Sequence, residues 1–323
     1  MQSQEGKTPN NQAKGRLVAL LGPTASGKSH LALAAAKALD GEIVNCDSMQ
    51  MYRHLQIGTA KPSRAQRREV PHHLYDLVDP DEFYSAGRYM QDARSVCREI
   101  ASRGKVSFVV GGTGLYLRAL LEGVFEGPGR SEKLRERLNK VGHRKGFEFL
   151  YGWLEKKDPE AAGRIQSQDQ IRIIRTLEIY LLTGKPISEL QARREHLENL
   201  SILKIGLNLP RGNLYDRIDR RVSEMFRSGL VEEVQQLLDR GYGPECKGFD
   251  ALGYRHAMDT LQGGLSREEA IARMQMDTRR YAKRQMTWFR REKEVHWIDV
   301  PGEDPSALDQ LINLMQGHDD AGI

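Results

Sequence analysis

Residues 17–39 read LVALL-GPTASGKS-HLALAAAKAL, and the order of these three pieces decides the fold. Leu17–Leu21 is a short apolar run of the kind that forms a buried strand. Gly22-Pro23-Thr24-Ala25-Ser26-Gly27-Lys28-Ser29 fits G-x-x-x-x-G-K-[ST] in full. Leu31–Leu39, rich in Ala and Leu, continues as a helix that starts inside the loop. A strand, this loop and a helix make a P-loop. Its backbone N–H groups, the helix N-terminus and Lys28 neutralise phosphate oxygens, and the Ser29 hydroxyl can ligate magnesium. The ligand therefore carries a di- or triphosphate.

Outward from this loop the same alternation continues. Glu42–Cys46 predicts a second strand that ends at Asp47. Ser85 can cap a helix running to about Ser102. Val106–Val110 predicts a third strand, followed by Gly111-Gly112-Thr113-Gly114 and another helix. The expected fold is α/β, a P-loop NTPase-like parallel sheet core with helices on both faces. Ligands of such sheets bind beyond the carboxyl ends of the strands, where segments 22–29, 47–52 and 111–116 all fall. Gly127-Pro128-Gly129 breaks the pattern, and 131–200 then reads as helical, with an irregular stretch at Ile165–Gln170. Ser201–Leu209 resumes an apolar strand and stops at Pro210. The expected division is a disordered leader (1–15), a catalytic core (16–127 and 201–323) and a helical insertion (128–200). Most of 213–240 and 265–292 reads as helix, and His296–Asp299 as a last short strand.

Composition narrows the class. The 323 residues are 39% hydrophobic and 29% charged, with no apolar run near the ~20 residues that span a bilayer. The leader lacks the apolar stretch of a signal peptide. Cys46, Cys97 and Cys246 form no CxxC pair, which argues against a disulfide framework or structural zinc and for a reducing, cytoplasmic setting. With no long exposed apolar face, a monomer is expected. Net charge is +5, with 15 basic against 11 acidic residues in 127–200 and eight basic residues crowded into 273–293. A patch like the one in 273–293 can attract nucleic acid, although on charge alone a solvated helix face is the favoured reading.

The carboxylate is unusually placed. ATPases and GTPases commonly carry a magnesium-binding Asp at the end of a later apolar strand. Here that strand ends Val109-Val110-Gly111-Gly112, without an acid. The acid instead follows the second strand, in Asp47-Ser48-Met49-Gln50-Met51-Tyr52. A carboxylate facing a phosphate site is placed to act as a general base, and the Gln50 amide can hydrogen-bond a purine edge. His72 and His73 are adjacent and point apart on a strand or turn, a poor metal pair. Arg280, Arg284 and Arg291 recur at helical spacing, while Tyr281 and Trp288, seven apart, are expected to face the core together with the Met-rich stretch 274–286.

The ordered set GPTASGKS, DSMQMY, Gly58-Thr59-Ala60-Lys61-Pro62, Pro71-His72-His73-Leu74 and GGTGLY (111–116) resembles the bacterial tRNA dimethylallyltransferases, also called tRNA isopentenyltransferases. The resemblance continues through Asp158-Pro159-Glu160-Ala161-Ala162, Thr183-Gly184-Lys185-Pro186, Gly253-Tyr254-Arg255 and Ala282-Lys283-Arg284-Gln285-Met286-Thr287-Trp288. It covers roughly residues 16 to 299. It implies transfer of a dimethylallyl group from dimethylallyl diphosphate to N6 of the adenosine immediately 3′ of the anticodon, with magnesium as cofactor and the tRNA anticodon stem-loop as partner. Asp47 would accept the amine proton. Lys28, the P-loop and magnesium at Ser29 would hold the diphosphate, whose growing charge needs preorganised donors. By the same resemblance Thr113 contacts the target nucleotide and Arg221 the diphosphate. It further implies that Asp47, Ser48, Met49, Gln50, Thr113, Arg135 and the segment Gln168-Asp169-Gln170-Ile171-Arg172 would contact tRNA. That segment departs from the family, reading Gln166-Ser167-Gln168-Asp169 where many members have His-Pro-Asn-Asp. The C-terminal zinc finger of eukaryotic relatives is absent as well.

Three other readings remain open on the residues alone. A P-loop small-molecule kinase is disfavoured by the acid-free strand end before Gly111. An adenylate isopentenyltransferase would leave the insertion without a role. A non-catalytic RNA-binding module would not need Lys28 together with Asp47.

Overall fold

The computed structural model describes residues 15–125, 127–191 and 196–320. Of the leader, residues 1–14 lie outside this range, and Gly15 opens the first strand. Two compact units are formed, one by the described residues up to Leu120 and from Glu198 onward, the other by Leu121–Leu197.

The first unit opens with β1 (Gly15–Leu21), α1 (Lys28–Ala38), β2 (Gly41–Asn45), α2 (Arg64–Glu69), β3 (His72–His73), α3 (Ala86–Ser102), β4 (Val106–Val110) and α4 (Gly114–Glu122). The second unit holds α5 (Glu132–Lys145), α6 (Phe147–Lys157), α7 (Pro159–Ala162), α8 (Gln170–Thr183) and α9 (Ile187–Gln191). The chain then returns through β5 (Leu200–Leu207), α10 (Arg211–Arg227), α11 (Leu230–Asp239), α12 (Tyr254–Leu261), α13 (Arg267–Phe289), β6 (Val295–Ile298) and α14 (Pro305–Asp320).

The six strands form one parallel sheet in the order β3-β2-β4-β1-β5-β6. Every residue of β2 and β4 is buried, a continuous run rather than an alternation, because helices cover both faces. Register then decides where the chemistry lies. Leu20 pairs with Val110, Asn45 also pairs with Val110, and Leu21 pairs with Gly206. Gly22, Cys46-Asp47 and Gly111 therefore leave the sheet side by side.

Ser85 caps α3 by accepting the Arg88 N–H, as its position predicts. Four of these elements, α2, β3, α12 and α14, have no counterpart in the sequence reading. β3 is only two residues long and is defined by pairing with Ile43 and Val44 rather than by any pattern of its own. α14 buries Ala307, Leu311 and Met315, a stripe at four-residue spacing. The second unit packs Leu138, Leu150, Leu154, Ile173 and Leu177 of α5, α6 and α8 into its own core. Its ends meet, with Leu197 N–H donating to Leu121 C=O at 2.9 Å.

Candidate active site

A cavity of about 800 Å3 opens at the carboxyl edge of the sheet, walled by the P-loop, residues 47–50, residues 58–60, Gly111-Gly112, α10 and α13. The P-loop supplies one side. Gly22 (φ 134°) and Gly27 (φ 94°) hold left-handed conformations that side chains disfavour, and Gly27 serves as the N-cap of α1. Lys28 is buried, and its Nζ donates to Pro23 C=O at 2.6 Å, inside the curve of the loop. Ser29 lies exposed in the first turn of α1, on the cavity wall.

Asp47 stands opposite. Its N–H donates to the buried Asn45 Oδ1 at 2.9 Å, and its own Oδ1 accepts the Met49 N–H at 2.9 Å. Asn45 in turn donates through Nδ2 to the carbonyls of Asp47 and Leu74. One carboxylate oxygen is thus tied to backbone, and Oδ2 lies toward Gly112. Burial pushes the Asp47 carboxyl above its ordinary value, although the Met49 N–H, Lys28 and Arg221 pull the other way. Burial first, and then the neighbouring Arg221, lower the Lys28 ammonium to about 7, with Asp47 partly offsetting them. Both shifts arise first from burial, and the couplings among Lys28, Arg221 and Asp47 are secondary to it.

The cavity wall carries five cationic side chains, Lys28, Arg217, Arg220, Arg221 and Arg284, against Asp47, Asp250 and Glu303. The excess of positive charge in a concave, partly desolvated site suits a polyanion. Arg221 lines this wall, partly buried and electrostatically coupled to Lys28 and Asp47.

Thr113 does not project into this wall. Its Oγ1 accepts the Ser48 N–H at 3.0 Å and donates to Ser48 Oγ at 3.3 Å, and its N–H donates to Cys46 C=O. It therefore fixes the 47–50 loop. Ser48, Met49 and Gln50 do line the cavity. The Gln50 Nε2 donates to the carbonyls of Thr59 and Ala60, so this amide nitrogen braces the neighbouring loop instead of being free for a purine edge. Tyr281 corrects another expectation, since it lines the cavity rather than the core. Trp288 packs against Gly114 and under the Arg118 guanidinium, 4.7 Å from its ring. His72 and His73 are occupied separately, by Val70 C=O and by Glu42.

The remaining candidates belong to the second unit. Asp169 caps α8, accepting the Arg172 N–H at 3.1 Å, while its Oδ2 pairs with Arg172 Nε at 3.2 Å. Gln168, Gln170, Ile171 and Arg172 are exposed there, Ile171 at 77%. Arg135 is turned inward, its Nε and Nη2 donating to the fully buried Glu178 at 3.0–3.1 Å.

Several site residues escaped the sequence reading of roles. Gln285 of α13 lies between the P-loop and Gly112. Arg217 donates from Nε to Ala25 C=O at 2.7 Å and forms a two-pronged pair with Glu303, at 2.6 and 2.7 Å. Lys61 of the GTAKP stretch is buried and ties Tyr52 C=O to Asp76, and the Arg67 guanidinium closes the same carboxylate. Glu233 of α11 accepts the N–H groups of Ile57 and Gly58 and the Tyr254 hydroxyl. Lys61 and Gln285 fall inside motifs quoted above, which was the available signal. Glu303 carries none.

The IPP transferase family model matches residues 50–292. The chain is 50% identical over 301 residues to the tRNA dimethylallyltransferase of Koribacter versatilis, covering 93% of this chain and 98% of that protein. It is 46% identical over 304 residues to the tRNA dimethylallyltransferase of Geobacter metallireducens, covering 94% and 98%. Among solved structures it is similar to the full-length tRNA isopentenylpyrophosphate transferase of Bacillus halodurans, with TM-score 0.70, 39% identity and coverage of 94% and 97%. It is also similar to a eukaryotic dimethylallyltransferase acting on tRNA, with TM-score 0.75, 29% identity and coverage of 91% and 76%.

Proposed function

The chain belongs to the IPP transferase family, and from that premise we propose that it transfers a dimethylallyl group from dimethylallyl diphosphate to N6 of the adenosine immediately 3′ of the anticodon, in tRNAs that read codons beginning with uridine. The observation that carries this reading is the register of β1, β2 and β4, which sets a phosphate loop and a partly buried carboxylate around one cation-rich cavity.

In this reading the donor diphosphate lies in the P-loop, held by its N–H groups, Lys28 and Arg221. The exocyclic amine of the target adenine lies beside Asp47, on the wall formed by Ser48, Met49 and Gln50. That amine is a poor nucleophile because its lone pair is delocalised into the ring. As the new C–N bond forms, the C–O bond to the diphosphate breaks and the amine proton passes to Asp47. The cations beside the loop meet the charge growing on the leaving group. The oxygen donors at this edge suit a hard cation, and we assign Ser29 as the protein ligand to magnesium, which would neutralise part of the diphosphate charge. The exposed segment Gln168–Arg172 is assigned to the anticodon stem-loop, which is held by its backbone while the target base is splayed out. Arg135 supports this surface through Glu178.

Radiolabelled dimethylallyl diphosphate with magnesium and unmodified tRNA, AMP or ATP tests the reading. Label is expected in tRNA alone. Label in AMP with none in tRNA overturns it in favour of a free-nucleotide acceptor.

A further inference from the structure

We propose that Gln285 is a positioning residue that sets the distance between the diphosphate cradle and the acceptor base, a role that rests on the group-transfer reading above. Its side chain enters the gap between two loops from α13 and is 5% exposed. Oε1 accepts the Thr24 N–H at 2.8 Å, and Nε2 donates to Gly112 C=O at 2.9 Å. Thr24 N can only donate and Gly112 O can only accept, so the amide has a single orientation that satisfies both.

Two consequences follow for the loops it joins. The Thr24 N–H is occupied by a protein group, so within the P-loop the phosphate-facing donors are those further along, toward Lys28. At Gly112, a Cβ would sit 2.0 Å from Gln285 Nε2, so that contact requires glycine. The same Cβ position is 3.8 Å from Asp47 Oδ2, which puts the bridge beside the base. Beyond Gly112 the connection continues through backbone and short side chains, with Thr113 N–H to Cys46 C=O and Ser48 N–H to Thr113 Oγ1. An unbroken path thus runs from the loop that holds the leaving group to the loop that holds the base. Displacement at carbon needs the nucleophile close to and in line with the leaving group, and a misplacement near 1 Å costs about 100-fold in rate.

Two variants separate positioning from bulk stability. Gln285→Glu keeps the shape and the Thr24 bond but opposes a carboxylate to Gly112 C=O. Gln285→Met keeps the length and loses both bonds. Single-turnover transfer to tRNA is expected to fall at least ~30-fold in each, with binding of dimethylallyl diphosphate and of tRNA within ~3-fold of the unsubstituted protein. Hydrogen exchange of the Thr24 amide, read without any turnover, is expected to quicken at least ~10-fold in Gln285→Met. Transfer within ~3-fold of the parent protein in both variants overturns the proposal, as does a Thr24 amide whose exchange is unaltered. Failure of the parent protein itself to prenylate tRNA counts against the function reading, and the Thr24 exchange then decides the bridge by itself.

Discussion

Asp47 shows how much a single residue's role depends on what holds it. Asn45 orients its backbone, the Met49 N–H takes one oxygen, and burial raises its carboxyl above the ordinary value near 4. A base must be ionised, so transfer is expected to fall as pH drops through this raised value, on an acid limb above the usual carboxylate range. Asp47→Asn removes the proton acceptor and is expected to slow transfer by ~100- to 10,000-fold, with dimethylallyl diphosphate still bound. Rate–pH profiles of the two proteins check this, and an acid limb that persists unaltered in Asp47→Asn assigns it to another group. Position 47 was legible because an acid closing the apolar run that follows a P-loop and its helix is a local pattern. The brace at Asn45 was not, since a buried amide looks like any other strand residue until its partners at Asp47 and Leu74 are seen.

At the scale of elements, helix α8 is anchored to α5 through charge. Glu178 is wholly buried and accepts from Arg135, Arg175 and the Ser131 N–H. Burial by itself would raise its carboxyl, yet these three donors more than offset it and hold it below its ordinary value. The folded value therefore lies under the unfolded one, so the stabilisation is complete at neutral pH and is lost as pH falls through the folded value. Arg135→Ala leaves the carboxylate with Arg175 and one N–H, and is expected to cost about 2–3 kcal/mol. Urea unfolding followed by a probe in the second unit measures this, and the gap between variant and parent should close in acid. An unchanged midpoint removes the strut role and leaves Arg135 to RNA contact alone. Most of the long helices and strands of this chain were readable from periodicity, although the 16-residue α14 was not. β3, at two residues, was not, because pairing rather than pattern defines it.

At the scale of the whole molecule, the second unit is a self-contained body whose two ends are hydrogen-bonded to each other. Replacing residues 122–196 by a short Gly/Ser linker therefore asks little of the first unit's fold. Such a protein is expected to bind dimethylallyl diphosphate within ~3-fold of the parent and to lose at least ~10-fold in tRNA affinity, given the basic excess of this region. Filter binding at fixed salt checks it, and undiminished tRNA affinity would mean that the insertion serves another purpose.

What the sequence by itself determined is the local chemistry: the P-loop, the alternation that makes a parallel sheet, the acid after the second strand and the ordered motifs of the family. Each depends on residues close together along the chain, where spacing alone fixes geometry. The tertiary structure decided what joins them. Gln285 meets Thr24 and Gly112 across separations of 261 and 173 residues, and Arg217 meets Glu303 across 86. Lys61, Gln50 and Tyr281 likewise take their parts from neighbours that arrive only on folding. Pattern and propensity report a residue's own segment, whereas a hydrogen bond across the cavity depends on where the sheet brings distant loops together.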